Sequence, residues 1–167
     1  MPIGARTVFA ASLRGGAIEP LSSAAETRAA DALELSAPAA ELFYAGGRTS
    51  HRAYERDALG IVGETLIVES PGSPEDPFPA GGGGLLLASL ELRFPIAFQI
   101  GGTIFADGGN VWREYRQIDP GEMKWGAGAG LRYSSPVGPL RLEIGWKLDR
   151  EPFEDPYVWF FSLGNTF

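Results

Sequence analysis

Leu140-Arg141-Leu142-Glu143-Ile144-Gly145-Trp146-Lys147-Leu148 is the stretch that decides how this chain is read. Leucine, isoleucine and tryptophan take every second place, and arginine, glutamate, glycine and lysine fill the places between. Successive side chains of a β-strand leave on opposite faces, so one face here is wholly apolar and the other charged. The end of the chain repeats the pattern. Tyr157, Trp159, Phe161, Leu163 and Phe167 share one face, broken only by Asn165, and Val158, Phe160, Ser162, Gly164 and Thr166 share the other. A water-soluble sheet also alternates, but it seldom lines one face of two neighbouring strands with tryptophan, tyrosine and phenylalanine. Strands of about ten residues with an apolar outer face and aromatic ends suit a barrel that spans a bilayer.

Composition narrows the function classes. With 167 residues the chain is one domain, or part of one. The formal charge of -7 argues against a nucleic-acid partner, because phosphate binding needs clustered lysine and arginine. Cysteine is absent and His51 is the single histidine, which leaves no disulfide framework and no thiolate or histidine metal cluster. No cofactor is expected. Gly81-Gly82-Gly83-Gly84 lacks the lysine and helix of a phosphate loop, and no serine–histidine–aspartate order has supporting context. The acidic pairs Glu75–Asp76 and Glu154–Asp155 read as solvated loop residues, so no enzyme chemistry is expected. No run of about 18 apolar residues offers a transmembrane helix. Met1-Pro2-Ile3-Gly4-Ala5 does not open a secretory signal, which an outer-membrane barrel needs. The chain is therefore expected to be the carboxy-terminal piece of a longer barrel protein, with a soluble β protein that binds an apolar ligand as the alternative.

Working outward, the same parity recurs upstream. Thr7, Phe9, Ala11 and Leu13 oppose Arg6, Val8, Ala10, Ser12 and Arg14. Leu86, Ala88, Leu90, Leu92 and Phe94 oppose Leu85, Leu87, Ser89, Glu91 and Arg93. After a short turn at Pro95, Ile100, Gly102, Ile104 and Ala106 oppose Gln99, Gly101, Thr103, Phe105 and Asp107. Trp125, Ala127, Ala129, Leu131 and Tyr133 oppose Gly126, Gly128, Gly130, Arg132 and Ser134. Between the first two of these strands lies a long connection, about residues 16–84. Within it 17–40 reads as loop, 41–60 as a compact glycine-bounded unit and 61–70 as a short strand. Pro71 to Gly84, with four prolines and five glycines, reads as irregular. Long connections on one rim and tight turns on the other are typical of outer-membrane barrels. Six strands cannot close a membrane barrel, which needs about eight or more. An open edge in lipid would leave N–H and C=O groups unpaired. The missing strands are expected upstream or on another chain.

The order of motifs resembles the carboxy-terminal portion of the BamA/TamA-type outer-membrane assembly and translocation barrels, over almost the whole chain. Phe43-Tyr44-Ala45-Gly46-Gly47 followed by His51-Arg52-Ala53-Tyr54 looks like that family's F-F-x-G-G and V-R-G-[FY] in its lumen-inserting loop. Ala88 to Pro95 looks like the strand after that loop, and Phe105-Ala106-Asp107-Gly108-Gly109-Asn110-Val111-Trp112 looks like its F-x-D-x-G strand end. Ser134 to Leu140 and the terminal Phe161-Ser162-Leu163-Gly164-Asn165-Thr166-Phe167 complete the match. Three positions depart from it: Ala53 stands for the glycine, His51 for the aliphatic residue before the arginine, and Leu42 for an arginine before the aromatic pair.

The resemblance implies an all-β, antiparallel up-and-down transmembrane barrel of about 16 strands, of which residues 1–167 are the carboxy-terminal six. It implies a bacterial outer-membrane location and POTRA domains and further barrel strands ahead of the chain. The partners implied are outer-membrane lipid and unfolded outer-membrane protein substrates. It further implies that Arg52 pairs with Asp107, with Glu91 close by and Tyr54 packed on the inner wall, locking the loop. Strand parity independently puts Asp107 and Glu91 on the polar face. An arginine fork grips a carboxylate bidentately and holds a loop more sharply than lysine would. Gly164 matches a glycine that lets the last strand bend at a lateral gate, and Phe161 and Phe167 belong to the terminal insertion signal. The implied function is non-enzymatic templating of barrel insertion, with a polypeptide-secretion translocator or pore of the same superfamily as the alternative. His51 reads as an ordinary loop residue, and Arg93, Arg132, Arg141, Glu143 and Lys147 as a hydrated inner lining of mixed charge.

Overall fold

Period-two runs become strands when their neighbours complete the backbone ladder, and here each run finds an antiparallel partner. A computed structural model describes residues 2–3, 7–19, 38–67, 78–136, 138–151 and 154–164. The strands are β1 (Pro2–Ile3), β2 (Thr7–Ala17), β3 (Leu66–Ile67), β4 (Phe78–Pro79), β5 (Gly84–Ala97), β6 (Ile100–Trp112), β7 (Lys124–Ser135), β8 (Gly138–Lys147) and β9 (Tyr157–Leu163). Seven of them form one sheet in the order β1-β2-β5-β6-β7-β8-β9, and β3 pairs with β4 apart from it. All pairings between these strands are antiparallel. The topology is thus up-and-down, with one long excursion between β2 and β5 that returns to the strand it left.

Register converts parity into two surfaces. On one, Phe9, Leu92, Ile104, Ala129, Ile144 and Trp159 stand in a single row across β2, β5, β6, β7, β8 and β9. This outer face stays open: Leu13, Ile104, Leu131, Trp159 and Phe161 are all exposed, Leu13 to 74% and Phe161 to 71%. On the other face, Ser12, Ser89, Asp107, Gly126 and Lys147 form a row, and Ala10, Glu91, Phe105, Gly128, Gly145 and Val158 form the next. The buried core sits on this inner face, beneath the long excursion: Ala45, Ala53, Tyr54, Leu59, Leu87 and Val111 pack into one cluster. A sheet that keeps its apolar face exposed and buries a partly polar one is inverted relative to a soluble sandwich, and a hydrocarbon surround accounts for that inversion.

Four local expectations are corrected. The turn expected at Pro95 lies instead at Phe98-Gln99: β5 runs on to Ala97 through a register shift between Pro95 and Ala97. Proline lacks the ladder N–H and is accommodated at such an irregularity. Phe98 takes a left-handed φ of 47° to close the two-residue turn. Of the strand expected over 61–70, the described residues 61–67 hold only β3, because the Ile61 carbonyl accepts from the amides of Glu64, Thr65 and Leu66 and closes a turn first, and 68–70 lie outside the described residues. The segment Pro71 to Gly84 is not wholly irregular, since Phe78–Pro79 pairs with β3 and Gly84 opens β5. A short strand, β1, adds to the six expected. The loop expected over 17–40 falls mostly outside the described residues.

Ile104 sits mid-strand on the outer face of β6. Ile104→Arg is expected to cost about 2–4 kcal/mol of folding stability in lipid vesicles. Thr103→Gln, on the inner face of the same strand, is expected to cost well under half as much. Urea titration of vesicle-folded protein, read by tryptophan fluorescence, compares the two.

Candidate functional site

The loop over the inner face is built by short-range closure before it meets the sheet. The Gly47 amide donates to the Tyr54 carbonyl at 2.8 Å, and the Tyr54 amide donates to the His51 carbonyl at 3.2 Å. The Ser50 hydroxyl accepts from the Gly46 amide and donates to the Gly46 carbonyl. The loop body is pinned to the strands by backbone bonds as well, Phe43 exchanging both of its hydrogen bonds with Gly82. What results is a tight knot that presents His51, Arg52, Ala53 and Tyr54, all buried, towards β5, β6, β7 and β8.

Arg52 is the centre. Its Nε donates to Asp107 Oδ2 at 2.8 Å and its Nη2 to Oδ1 at 2.9 Å, a bidentate fork, while its backbone amide donates to Oδ2 at 2.9 Å. Ser89 donates to Asp107 Oδ1 at 2.7 Å, so this buried carboxylate accepts four hydrogen bonds. Nη1 pairs with Glu91 and lies 3.8 Å from Glu143, and Nη2 reaches Ser89. The guanidinium carbon stands 3.7 Å from the ring centre of Phe105, a cation–π contact that covers one face of the group. Glu91 is held in turn by Arg93. Burial alone would lower the Arg52 pKa, but the hydrogen bonds and charges of Asp107 and Glu91 outweigh it and hold the group above its usual range.

Two glycines make the approach close enough. A Cβ on Gly145 would run into the Arg52 carbonyl, and one on Gly126 would strike the Ala53 methyl and stand 2.9 Å from the His51 ring. The inner face of β7 and β8 is therefore hollowed where the loop sits. Ala53 is not among the described residues with positive φ, so the turn needs no glycine there, and its methyl fills the hollow over Gly126.

His51 and Tyr54 form a second layer. The rings meet edge to face at 4.9 Å. His51 Nε2 lies 3.0 Å from the Lys124 carbonyl, and Nδ1 faces the Ala53 amide at 3.4 Å. A carbonyl only accepts and an amide only donates, so the neutral tautomer with hydrogen on Nε2 satisfies both contacts. Burial, countered in part by the Lys124 carbonyl and the Asp107 charge, lowers the His51 pKa below 6.5. The Tyr54 hydroxyl donates to the Asp149 carbonyl at 3.4 Å, and its ring lies near the ammonium groups of Lys147 and Lys124. Burial, with Glu154 and Asp149 adding to it, pushes the Tyr54 phenol upward.

Of the residues singled out in the sequence, Arg52, Tyr54, Asp107 and Glu91 meet at one place. Gly164 and Phe161 lie apart, at the end of β9: Gly164 has φ 94° and donates its amide to the Pro139 carbonyl, and Phe161 points outward from the pair it forms with Leu142. Phe167 lies outside the described residues. Ser89, Phe105 and Glu143 belong to the site without having been singled out for it. Parity put all three on the inner face, but nothing in their local sequence marks them as partners of residue 52. His51 gave no signal beyond its place before the arginine.

Comparison with known proteins matches residues 1–167 to the Omp85 superfamily domain. The chain belongs to the Omp85 superfamily. It is 26% identical over 159 residues to the outer membrane protein assembly factor BamA of Neisseria meningitidis, covering 78% of this chain and 19% of that protein. It is 32% identical over 114 residues to the chloroplastic outer envelope protein 80 of Arabidopsis thaliana, covering 64% of this chain and 13% of that one. The chain thus spans about a fifth or less of the curated relatives it matches. Among solved structures, BamA of Haemophilus ducreyi lacking POTRA domains 1-3 superposes with a TM-score of 0.54 at 22% identity, over 75% of this chain and 28% of that one. The sheet is accordingly a stretch of Omp85 transmembrane barrel wall in a bacterial outer membrane, and its inner face is the barrel lumen. The superfamily is one of outer-membrane protein insertion and translocation.

Removing one member of a buried ion pair strands the other. Asp107→Ala and Arg52→Ala are each expected to cost about 3–5 kcal/mol, with a coupling of up to about 3 kcal/mol in the double-mutant cycle. Denaturant midpoints of the four proteins measure it, and strict additivity would deny the pair. For His51 the folded pKa lies below the unfolded one, so the unfolded chain binds more protons. Its contribution is then complete above about pH 6.5 and declines as pH falls from there through the folded value. Protease protection of the loop is expected to weaken between about pH 7.5 and pH 5.5, and His51→Val is expected to flatten that dependence.

Proposed function

We propose that the chain is the carboxy-terminal barrel wall of a BamA/TamA-like assembly factor that inserts unfolded outer-membrane proteins without enzymatic chemistry. The observation that carries this reading is the loop clamped on the lumen face by Arg52 among Glu91, Asp107 and Glu143. A loop held there by a buried, multiply bonded guanidinium occupies the lumen, which suits a rigid scaffold better than an open conduit. The working surface in this reading is the edge of β9. An incoming strand pairs with it by β-augmentation, and Gly164, already in a left-handed conformation, lets the strand end turn away to admit the newcomer. Lipid, unfolded outer-membrane substrates, further barrel strands and POTRA domains are the partners this reading requires. The exposed outer face from Leu13 to Phe161 speaks against a soluble ligand-binding protein, which would cover such a surface.

The test is reconstitution of the native protein into lipid vesicles, with an unfolded eight-stranded outer-membrane protein supplied from outside (about the smallest such barrel). Accelerated folding of that substrate, reduced at least about fivefold by Arg52→Ala and by Gly164→Val, is the expected result. Passage of an unfolded polypeptide into the vesicle interior without accelerated folding would replace the assembly reading with the translocator one.

A further inference from the structure

Below the loop, towards the short turns, the lumen floor changes character. Arg132 of β7 and Arg141 of β8 are direct register partners on the inner face. Like charges opposite one another in a sheet repel. Beyond them in the same row stand Gly101 on one side and Ser162 on the other. The Arg141 Nε and the Ser162 hydroxyl are both buried with no hydrogen-bond partner among the described residues. Arg93 lines the same cavity, of about 410 Å³. Its acidic neighbours are already engaged, Glu91 by Arg52 and Arg93, and Glu143 by Arg52. The opposite rim has the other sign: residues 113–124 and 149–155 carry seven acidic and four basic side chains. A basic floor with unused donors therefore sits at the turn side of a chain whose formal charge is -7.

We propose that this floor, Arg93, Arg132 and Arg141, binds the carboxylates of an acidic polypeptide segment entering the lumen from the turn side. Paired guanidinium forks match planar carboxylates bidentately. Gly101, the register partner of Arg132, adds no side chain beside the arginines and no side chain stands over it, whereas the space over Gly130 holds the side chains of Glu143 and Thr103. The site lies on the lumen face, separated from lipid by the sheet itself, which favours a polypeptide carboxylate over a lipid headgroup. The acidic rim repels the same segment from the loop side, which sets the direction of entry. The inference rests on the lumen assignment and not on the assembly reading, so failure of one leaves the other standing.

The native outer-membrane protein in detergent micelles, at about 50 mM salt where such contacts are least screened, is titrated against a fluorescent peptide of about six glutamates. A lysine peptide of the same length, inorganic phosphate and anionic lipid vesicles serve as competitors. Saturable binding of the glutamate peptide is expected, weakened at least about tenfold by Arg132→Gln with Arg141→Gln, and only in part by lysine at both positions. Heat-dependent gel mobility verifies that each variant folds, and Arg132→Gln alone is used if the double variant does not. Absence of binding, equal affinity in the glutamine variant, or equal binding of the lysine peptide would overturn the proposal. Displacement by equimolar phosphate or by vesicles would overturn it in favour of a phosphate site.

Discussion

A peptide N–H or C=O surrounded by hydrocarbon has no water to turn to, so a strand in a bilayer stays only if both its edges are paired. The ladders meet that demand on both sides of β5, β6, β7 and β8 and leave β9, at the end of the sheet, with one edge that no described strand pairs, and the two surfaces they create organise the rest of the molecule. A paired sheet sends its side chains to two sides in strict alternation. One side dissolves in lipid, and the other is screened from it by the backbone. Charges on the screened side escape the cost of lying in hydrocarbon, which is why arginine, glutamate and aspartate are present within strands that also carry Trp146, Trp159 and Phe161.

That screened side is still a poor home for an isolated charge. Asp107 is almost completely covered and would be strongly destabilising alone. Arg52 resolves this by bringing a guanidinium fork, and its own backbone amide, from a loop that is also held by Phe43 against Gly82 and by His51 against Lys124. The dependence is mutual: the carboxylate needs the loop, and the loop is ordered by the carboxylate. Phe105 and the glycines at 126 and 145 serve the same contact sterically, one by covering the guanidinium plane and the others by letting the loop backbone descend to it. Replacing a glycine by Ala53 and an aliphatic residue by His51 leaves this arrangement intact, because the alanine methyl fits the hollow and the imidazole finds a donor and an acceptor at its two nitrogens.

The distribution of charge has a second consequence. Glu91, Asp107 and Glu143 gather around one arginine, so the acids of the mid-lumen are spent there. Arg132 and Arg141, a short way further along β7 and β8, are left facing each other. The inner face is therefore layered in charge, with an acidic rim, a neutralised lock and a basic floor.

How much of this was legible in the chain itself depends on the range of the interaction. Alternation is local, so the lipid-facing set from Phe9 to Phe161 and the inward set that holds Glu91, Asp107 and Glu143 were determined by the order of residues alone. The motif resemblance added Arg52 and its carboxylate. Short-range backbone chemistry was read less well, as at Pro95 and Ile61, where a bulge and a competing turn override the simple pattern. What only the tertiary structure decided was which inward residues converge. Glu91 lies 39 residues and Asp107 55 residues from Arg52, and their meeting depends on the register of β5 against β6 together with the path of the loop. The burial of His51 under Lys124, 73 residues away, and the facing of Arg132 and Arg141 are of the same kind. A period-two pattern says which way a side chain points, but a shift of the partner strand would change whom it meets, and that is settled only when all the strands are paired.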